Sequence, residues 1–357
     1  MTMLLSNEDI AAILTMPDCL DAMEIAYKDL GTAHGINGVR SEILTATARD
    51  DALYSLLTMD GVIPRFGIGA VRINSDILTW PKSDAGLRRV KVPAAPNQRY
   101  VGLVLLFSTE TGEPLAIYPD GEVQRMRVGA TCGLAAKYLA RADASEAAII
   151  GSGHQASGQA MAICAVRPIK RLRCYSPNPA SRAAFAEEMR KLLNVETIAA
   201  LSLREAVDGA DVVMCATNSM QPVLPADHLA PGMHVSTLKR LELDATTVGR
   251  ADVVITHVRK AISHILRGEG ADLAKDTEHQ KAALSSALKQ DSLPELSDLL
   301  LGRTPGRRNA SDISVFLNYS GLGYQFAATG YAIYKKAQET GIGRRIDTDW
   351  LTSALPS

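Results

Sequence analysis

Apolar positions keep helical spacing near the start of the chain. Ile10, Ile13 and Leu14 follow the cap candidate Ser6-Asn7-Glu8-Asp9, and a second helix is predicted from Pro17 to Leu30. The pattern then alternates. Ser41 to Thr47, Ala52 to Met59, Gly67 to Asn74 and Tyr100 to Ser108 read as antiparallel strands, the last ending in the turn Thr109-Glu110-Thr111-Gly112-Glu113-Pro114. Lys82 to Arg99, rich in proline and basic residues, reads as a mobile loop. From Ala147 onward, short apolar strands at Ala147–Ile150, Arg171–Tyr175, Asp211–Ala216, His234–Val235 and Asp252–Ile255 alternate with helices at Gln155–Val166, Ala180–Leu193 and Leu203–Val207. Such alternation predicts a parallel, doubly wound sheet with helices on both faces. A last helix, Tyr324 to Glu339, is closed by Thr340-Gly341-Ile342-Gly343.

One turn in this second half carries chemistry. Ala147-Ala148-Ile149-Ile150 runs directly into Gly151-Ser152-Gly153-His154-Gln155-Ala156. Gly151 permits the tight strand-to-helix turn, Gly153 lets the backbone approach a pyrophosphate, and Ala156 lets helix and strand pack closely. The phosphates would sit over a helix N-terminus, where free N–H groups and the helix dipole favour negative charge. A glycine turn of this kind is weak alone; the alternating elements around it make it a dinucleotide site.

Composition narrows the partners. With 357 residues the chain is about two domain lengths, and a net charge of -1 gives no general attraction to nucleic acid or to an anionic membrane. Apolar runs such as Val104 to Phe107 fall far short of a bilayer span, and the start Met1-Thr2-Met3-Leu4-Leu5-Ser6-Asn7-Glu8 has no basic leader, so a cytoplasmic protein is expected. Cys19, Cys132, Cys164, Cys174 and Cys215 are odd in number and scattered, as small packing residues would be. The seven histidines have no metal-ligand spacing; His228 and His234 flank the turn Ala230-Pro231-Gly232. No metal site is expected.

Cofactor choice follows from charge. NAD enzymes usually end the second strand with an acid that binds the ribose 2′-hydroxyl and repels a 2′-phosphate. Here the strand ends Cys174-Tyr175-Ser176-Pro177-Asn178-Pro179-Ala180-Ser181-Arg182, without an acid. Ser176, Asn178, Ser181 and Arg182 are suited to a phosphate, so NADP is preferred, with NAD as the other choice.

Across nearly the whole chain the sequence resembles the ornithine cyclodeaminase and mu-crystallin family. The specific stretches are Leu105-Leu106-Phe107-Ser108-Thr109-Glu110-Thr111-Gly112-Glu113-Pro114-Leu115-Ala116, Arg127-Val128-Gly129-Ala130 through Ala135-Ala136-Lys137-Tyr138-Leu139-Ala140, and the Gly151 turn. Ala216-Thr217-Asn218-Ser219, Gly232-Met233-His234-Val235 and Asp312-Ile313-Ser314-Val315-Phe316 follow in family order. The resemblance implies an α/β fold in which a Rossmann-type doubly wound parallel sheet, residues 125–320, is inserted into an α+β substrate-binding and dimerisation domain of residues 1–124 plus 321–357. It also implies a homodimer. Expected cofactor contacts are then Gly151, Gly153, His154, Gln155, Ala156, Ser176, Asn178 and Arg182, with Ala216, Thr217, Asn218, Thr237 and Leu238 from later turns.

The resemblance further implies an amino, imino or keto acid substrate whose carboxylate is held by arginines against the nicotinamide. Arg40, in Val39-Arg40-Ser41-Glu42, and Arg127, heading a helix Arg127 to Leu139, match the family's carboxylate-binding arginines. A planar guanidinium fork matches a carboxylate bidentately. Two departures bear on the chemistry. Where the family usually has a catalytic lysine, in a segment resembling Gly69-Ala70-Val71-Arg72-Ile73-Asn74, this chain has Arg72, which orients a carboxylate well but shuttles protons poorly. After His234 the cyclodeaminases place an aspartate that acts on the α-amino group; here His234-Val235-Ser236-Thr237-Leu238-Lys239-Arg240-Leu241-Glu242-Leu243-Asp244 reads as a loop about five residues shorter, without that aspartate.

The expected reaction is therefore hydride transfer at a C–N bond, reducing an imino acid, or a keto acid plus amine, to an amino acid. Catalytic candidates are Arg72, Asp76 and Lys239, with Glu242 a further proton carrier. Ornithine-type deaminating cyclisation is the runner-up, and an NADPH-dependent binding protein for small carboxylates is the alternative from another class. Specificity is expected in Trp80 to Arg99; Trp80 and Tyr100 read first as buried aromatics and second as pocket walls.

Overall fold

The computed structural model describes residues 1–83, 86–97, 99–259, 263–271 and 284–354. The first strand, β1 (Thr2–Leu4), leads into α1 (Asn7–Ile13) and α2 (Met16–Gly31). Both helices start in reciprocal caps, Ser6 with Asp9 and Thr15 with Asp18. Cys19, Met23, Ala26 and Tyr27 form the buried stripe of α2.

Strands dominate the next part: β2 (Ile36–Asn37), β3 (Arg40–Ala46), β4 (Ala52–Ile63), β5 (Ile68–Thr79), β6 (Lys82–Ser83), β7 (Gly86–Leu87), β8 (Val90–Val92), β9 (Val101–Ser108) and β10 (Pro114–Pro119). They end at the long helix α3 (Gly121–Leu139). Alternation follows: β11 (Glu146–Ile150), α4 (His154–Val166), β12 (Arg171–Tyr175), α5 (Pro179–Leu193), β13 (Glu196–Ala199), α6 (Leu203–Val207), β14 (Val212–Cys215), β15 (His234–Thr237), α7 (Ala245–Gly249) and β16 (Val253–Thr256). The remainder is β17 (Ser263–Arg267), α8 (Leu296–Leu300), β18 (Ser314–Leu317), α9 (Tyr324–Thr340) and β19 (Arg344–Ile346).

Two large sheets result. One is parallel throughout, in the order β13-β12-β11-β14-β15-β18-β16. This is the doubly wound arrangement, with the order reversing between β11 and β14. Every residue of β14, β15 and β18 is buried, as a sheet covered on both faces requires. The other sheet is mixed, in the order β17-β3-β4-β5-β9-β10-β1-β19, with β2 added to β4 and β8 to β5. Helix α9 returns from the parallel sheet and packs on β4, β5 and α2, burying Tyr324, Phe326, Ala327 and Ile333. Burial of Phe326 and Ile333 stabilises the fold by roughly 1.5–3 kcal/mol each.

Several elements differ from the sequence pattern in ways that affect the site. The strand predicted to end at Asn74 runs on to Thr79, so Asp76 is a strand residue on the same face as Arg72 and Asn74. Lys82 to Arg99 is a patterned segment rather than a plain loop: β6 and β7 pair with each other, and β8 pairs with β5. Helix α3 begins six residues before Arg127, which is therefore buried within the helix and does not head it. Glycine at position 121 and a first turn capped by Asp120 without a side-chain bond hide that start. No described helix is long and apolar enough to cross a membrane. All five cysteines are free, four of them buried.

Candidate active site

The turn after β11 forms a cradle. Gly151 has φ +113°, and a Cβ there would stand 2.3 Å from the Ala216 carbonyl oxygen, so only glycine fits between the two strand ends. Gly153 caps α4, and a Cβ there would meet nothing within 4 Å, leaving the approach to the helix N-terminus open. A cavity of about 1180 Å³ starts here, at the point where the strand order reverses, and continues to the face of the mixed sheet. These features fit a dinucleotide.

Most of the expected cofactor contacts line that cavity: Gly151, Gly153, His154 and Gln155 from the turn, Ser176 and Asn178 after β12, Ala216, Thr217 and Asn218 after β14, and Leu238 after β15. Three stand back from it. Ala156 is buried in α4 and Thr237 is buried at the end of β15. Arg182 folds onto the rim, donating from Nη1 to the Ser176 carbonyl at 2.9 Å with its guanidinium 5.9 Å from the Tyr175 ring centre. The Asn178 side chain accepts from the Ser181 N–H and caps α5.

The loops after β14 and β15 are clasped by Glu242. Its buried carboxylate accepts from the Thr217 N–H at 2.6 Å, the Thr217 hydroxyl at 2.8 Å, the Leu238 N–H at 2.8 Å and the Lys239 N–H at 2.9 Å. Burial pushes its pKa up against the pull of those donors. Glu242 is thus spent on shaping the backbone and does not face the cavity.

Three arginines meet at the other end. Arg72 places Nε and Nη2 at 2.7 and 2.6 Å from one Asp120 oxygen, to which Asn74 also donates at 3.2 Å. Arg127 donates from Nη1 to Gln325 and from Nη2 to Gln124, both at 2.7 Å. Among the described residues no acid comes within ion-pair distance of Arg127. Both guanidinium groups lie against the Phe326 ring, whose centre is 5.3 Å from Arg72 and 5.0 Å from Arg127. Burial, and then the nearby Arg72, push the Arg127 pKa down to about 9. Arg40 is only half-buried and pairs with Glu42 at 3.0 Å.

Of the catalytic candidates, Arg72 is committed to Asp120, and Asp76 pairs with Lys91 at 2.7 Å. Lys239 lines the opposite wall, half-buried. Its pKa is lowered by burial, with Arg89 adding to the effect and Glu242 opposing it.

Sequence reasoning passed over Glu42, Asp120, Gln124, Gln325 and Phe326. Glu42 was within reach, because residues two apart on a strand share a face and Arg40 was already placed there. Its carboxylate accepts from the Ser55 hydroxyl at 2.9 Å and also pairs with Arg89 at 3.3 Å. Burial raises its pKa, but Arg40, Arg89 and Ser55 together hold it below the usual carboxylate range. Trp80 lines the cavity, whereas Tyr100 is about half exposed, not buried. No cluster of three or more His, Cys, Asp or Glu able to hold a metal occurs among the described residues.

Known proteins share this architecture. The chain is 25% identical over 350 residues to Delta(1)-pyrroline-2-carboxylate reductase of Bacillus cereus (strain ATCC 10987 / NRS 248), covering 97% of this chain and 99% of the relative. It is 24% identical to iminosuccinate reductase of Paracoccus denitrificans (strain Pd 1222), covering 97% and 99%. The solved structure of Thermococcus litoralis Delta(1)-pyrroline-2-carboxylate reductase, in complex with NADH and L-proline, superposes with a TM-score of 0.78 at 28% identity, covering 97% of this chain and all of the other. The model of the ornithine cyclodeaminase/mu-crystallin family matches residues 89–341, more than two thirds of the length, and the chain belongs to that family.

Proposed function

We propose that this protein is a nicotinamide-dependent oxidoreductase acting on C–N bonds, which reduces an α-imino acid, or a keto acid with an amine, to the amino acid. The observation that carries this reading is Arg127, a buried guanidinium without an acid partner among the described residues, at one end of a cavity whose other end is the glycine turn. A carboxylate bound there would relieve the penalty that burial and Arg72 impose on its charge. A nicotinamide held at the Gly151 turn would supply the hydride for the imine carbon, and with a proton delivered to the nitrogen the C=N bond would become a C–N single bond with new C–H and N–H bonds.

The chain's own residues divide the remaining work. Arg127 and Arg40 bind and orient the carboxylate, and Arg72, tied to Asp120, fixes the wall between them. Lys239 delivers the proton: its lowered pKa makes it a stronger acid than an ordinary lysine. The test follows NADH and NADPH absorbance with keto acids plus ammonia or methylamine and with preformed cyclic imines, and assays ornithine separately for ammonia release. Cofactor oxidation with an imine supports the reductase. Ammonia release from ornithine would replace it with a cyclodeaminase, and binding without turnover would replace it with a carrier of small carboxylates.

We further infer a preference for NADP. The end of β12 has no acid to repel a 2′-phosphate, and the Arg182 guanidinium lies on the Ser176 carbonyl at that rim. NADPH is expected to bind more tightly than NADH, and Arg182→Ala to reduce the ratio about tenfold, the worth of one charge-assisted hydrogen bond. Fluorescence titration of both cofactors decides it; equal or tighter NADH binding by the natural chain sinks the preference.

The division into residues 1–124 plus 321–357 and residues 125–320 is our reading of the two sheets, with β17 lent back to β3. We also infer a homodimer built on the outer face of the mixed sheet. There Val101, Leu103 and Ile43 are each more than 40% exposed, beside half-buried Leu105 and Phe107. Leu103→Asp is expected to halve the mass seen by light scattering. A natural chain that already runs as a monomer would refute the dimer.

A further inference from the structure

We infer that Gly321 controls the access of the substrate's carboxylate to Arg127: because position 321 has no side chain, the outer end of the guanidinium is left for a ligand. This rests on the imine-reductase reading. Gly321 is half-buried in the stretch that leads from β18 into α9, and it lines the cavity beside Asn318, Tyr319 and Ser320.

The donors of Arg127 show what is left to bind. A guanidinium carries five N–H groups. Gln124 accepts from Nε at 3.2 Å and from Nη2 at 2.7 Å, and Gln325 accepts from Nη1 at 2.7 Å. One N–H on each terminal nitrogen remains. Gln325 is itself fully engaged: its oxygen also accepts from the Leu322 N–H at 3.0 Å, and its amide donates to Tyr27 at 2.8 Å and to Thr131 at 2.9 Å. The guanidinium is therefore held in place.

A Cβ at position 321 would stand 3.1 Å from Nη2 and 3.3 Å from Nη1 of Arg127, with the Met59 methyl next nearest at 3.5 Å. The central guanidinium carbon is thus no nearer than 3.5 Å. A point closer to both nitrogens than to the carbon between them lies off the end of the fork, not over its face. A carboxylate oxygen bound to either terminal nitrogen sits about 2.7–2.9 Å from it, so a methyl group there would stand against that oxygen. Arg127, buried and held by two glutamines, cannot swing aside to admit both. Packing by itself does not call for glycine at 321. Its backbone is outside the left-handed region, and the nearest atoms are side-chain ends. Gly323 is the contrast, since a Cβ there would stand 2.2 Å from the Asp60 carbonyl oxygen.

The experiment measures by calorimetry the binding of pyruvate and of L-proline to protein saturated with NADH. It compares the natural chain, Gly321→Ala, Arg127→Met and the double variant, and titration with NADH counts the folded sites in each. Gly321→Ala is expected to weaken both carboxylates about 10- to 100-fold, the worth of a lost charge-assisted contact, while NADH affinity changes by less than about threefold. The double variant is expected to bind no more weakly than Arg127→Met alone, because the methyl acts only through the fork. With pyruvate and methylamine as substrates, KM should rise while kcat changes little, as when binding is lost from ground and transition states alike. Natural affinity in Gly321→Ala, or losses that add in the double variant, overturns the inference; if Arg127→Met binds weakly in the same series, the reductase reading stands. Loss of NADH sites in Gly321→Ala that Arg127→Met does not restore would make glycine a packing requirement and overturns the inference as well. Natural affinity in Arg127→Met, or a natural chain that binds neither carboxylate, removes the carboxylate site itself and overturns both.

Discussion

Replacing Lys239 with glutamine is expected to lower kcat for imine reduction by about 10²- to 10⁴-fold, the usual contribution of a positioned general acid. Lys239 sits just before a short turn of helix, Arg240–Glu242, and its backbone N–H is fixed by Glu242 at 2.9 Å. Burial is the largest influence on its ammonium and lowers its pKa; Arg89 lowers it further, and Glu242 only partly restores it. The sign is definite. The acid form is full below that lowered pKa, so kcat is level there and falls as pH rises through it, at a pH below the ordinary lysine range. Lys239→Gln removes the charge that titrates, so the alkaline fall disappears together with the rate. A variant whose rate falls less than about fivefold while the alkaline limb persists would assign the proton elsewhere, with Asp76 the next residue to test.

Removing the anion behind Arg72 gives the second large effect, on stability. Asp120→Ala is expected to cost about 3–5 kcal/mol, because it leaves a buried guanidinium uncompensated. The side chains of Arg72 and Asp120 are 6% and 12% exposed, and the same Asp120 oxygen also accepts from Asn74. Water cannot readily replace a carboxylate so buried. Asp120→Asn keeps an acceptor but loses the charge, so it should fall between the alanine variant and the natural protein. Urea unfolding measures all three. A loss below about 1 kcal/mol for the alanine variant would show that Arg72 is solvated well enough to stand alone.

Helices and strands were legible where the local period was long or well punctuated. The Ser6 cap, the β4 alternation and the α5 stripe all persist in the fold. Short buried strands were harder. β18 contributes four consecutive buried residues, and such a run carries no period by which a strand can be told from a piece of helix. Edge strand β13 is similarly brief, and β10 follows a turn with a proline at its first residue. The Lys82–Arg99 segment, with its prolines and cations, has the composition of a loop, yet its backbone is pinned to β5 and to Ser219 by pairing that no local pattern announces.

The sequence alone determined the family and the doubly wound sheet, and it singled out the glycine turn at Gly151 and the proposed carboxylate arginines Arg40 and Arg127, because each lies in local spacing or in a contiguous motif. It did not determine the charge partners. Arg72 meets Asp120 across 48 residues, and Arg127 meets Gln325 across 198. Only the tertiary structure decided that Arg72 is neutralised, that Arg127 is not, that Glu42 and Asp76 are already occupied by Arg89 and Lys91, and that Glu242 clasps two loops without facing the cavity. The physical reason is that a charge is defined by its neighbours, and in this protein those neighbours come from strands and helices far apart in the chain.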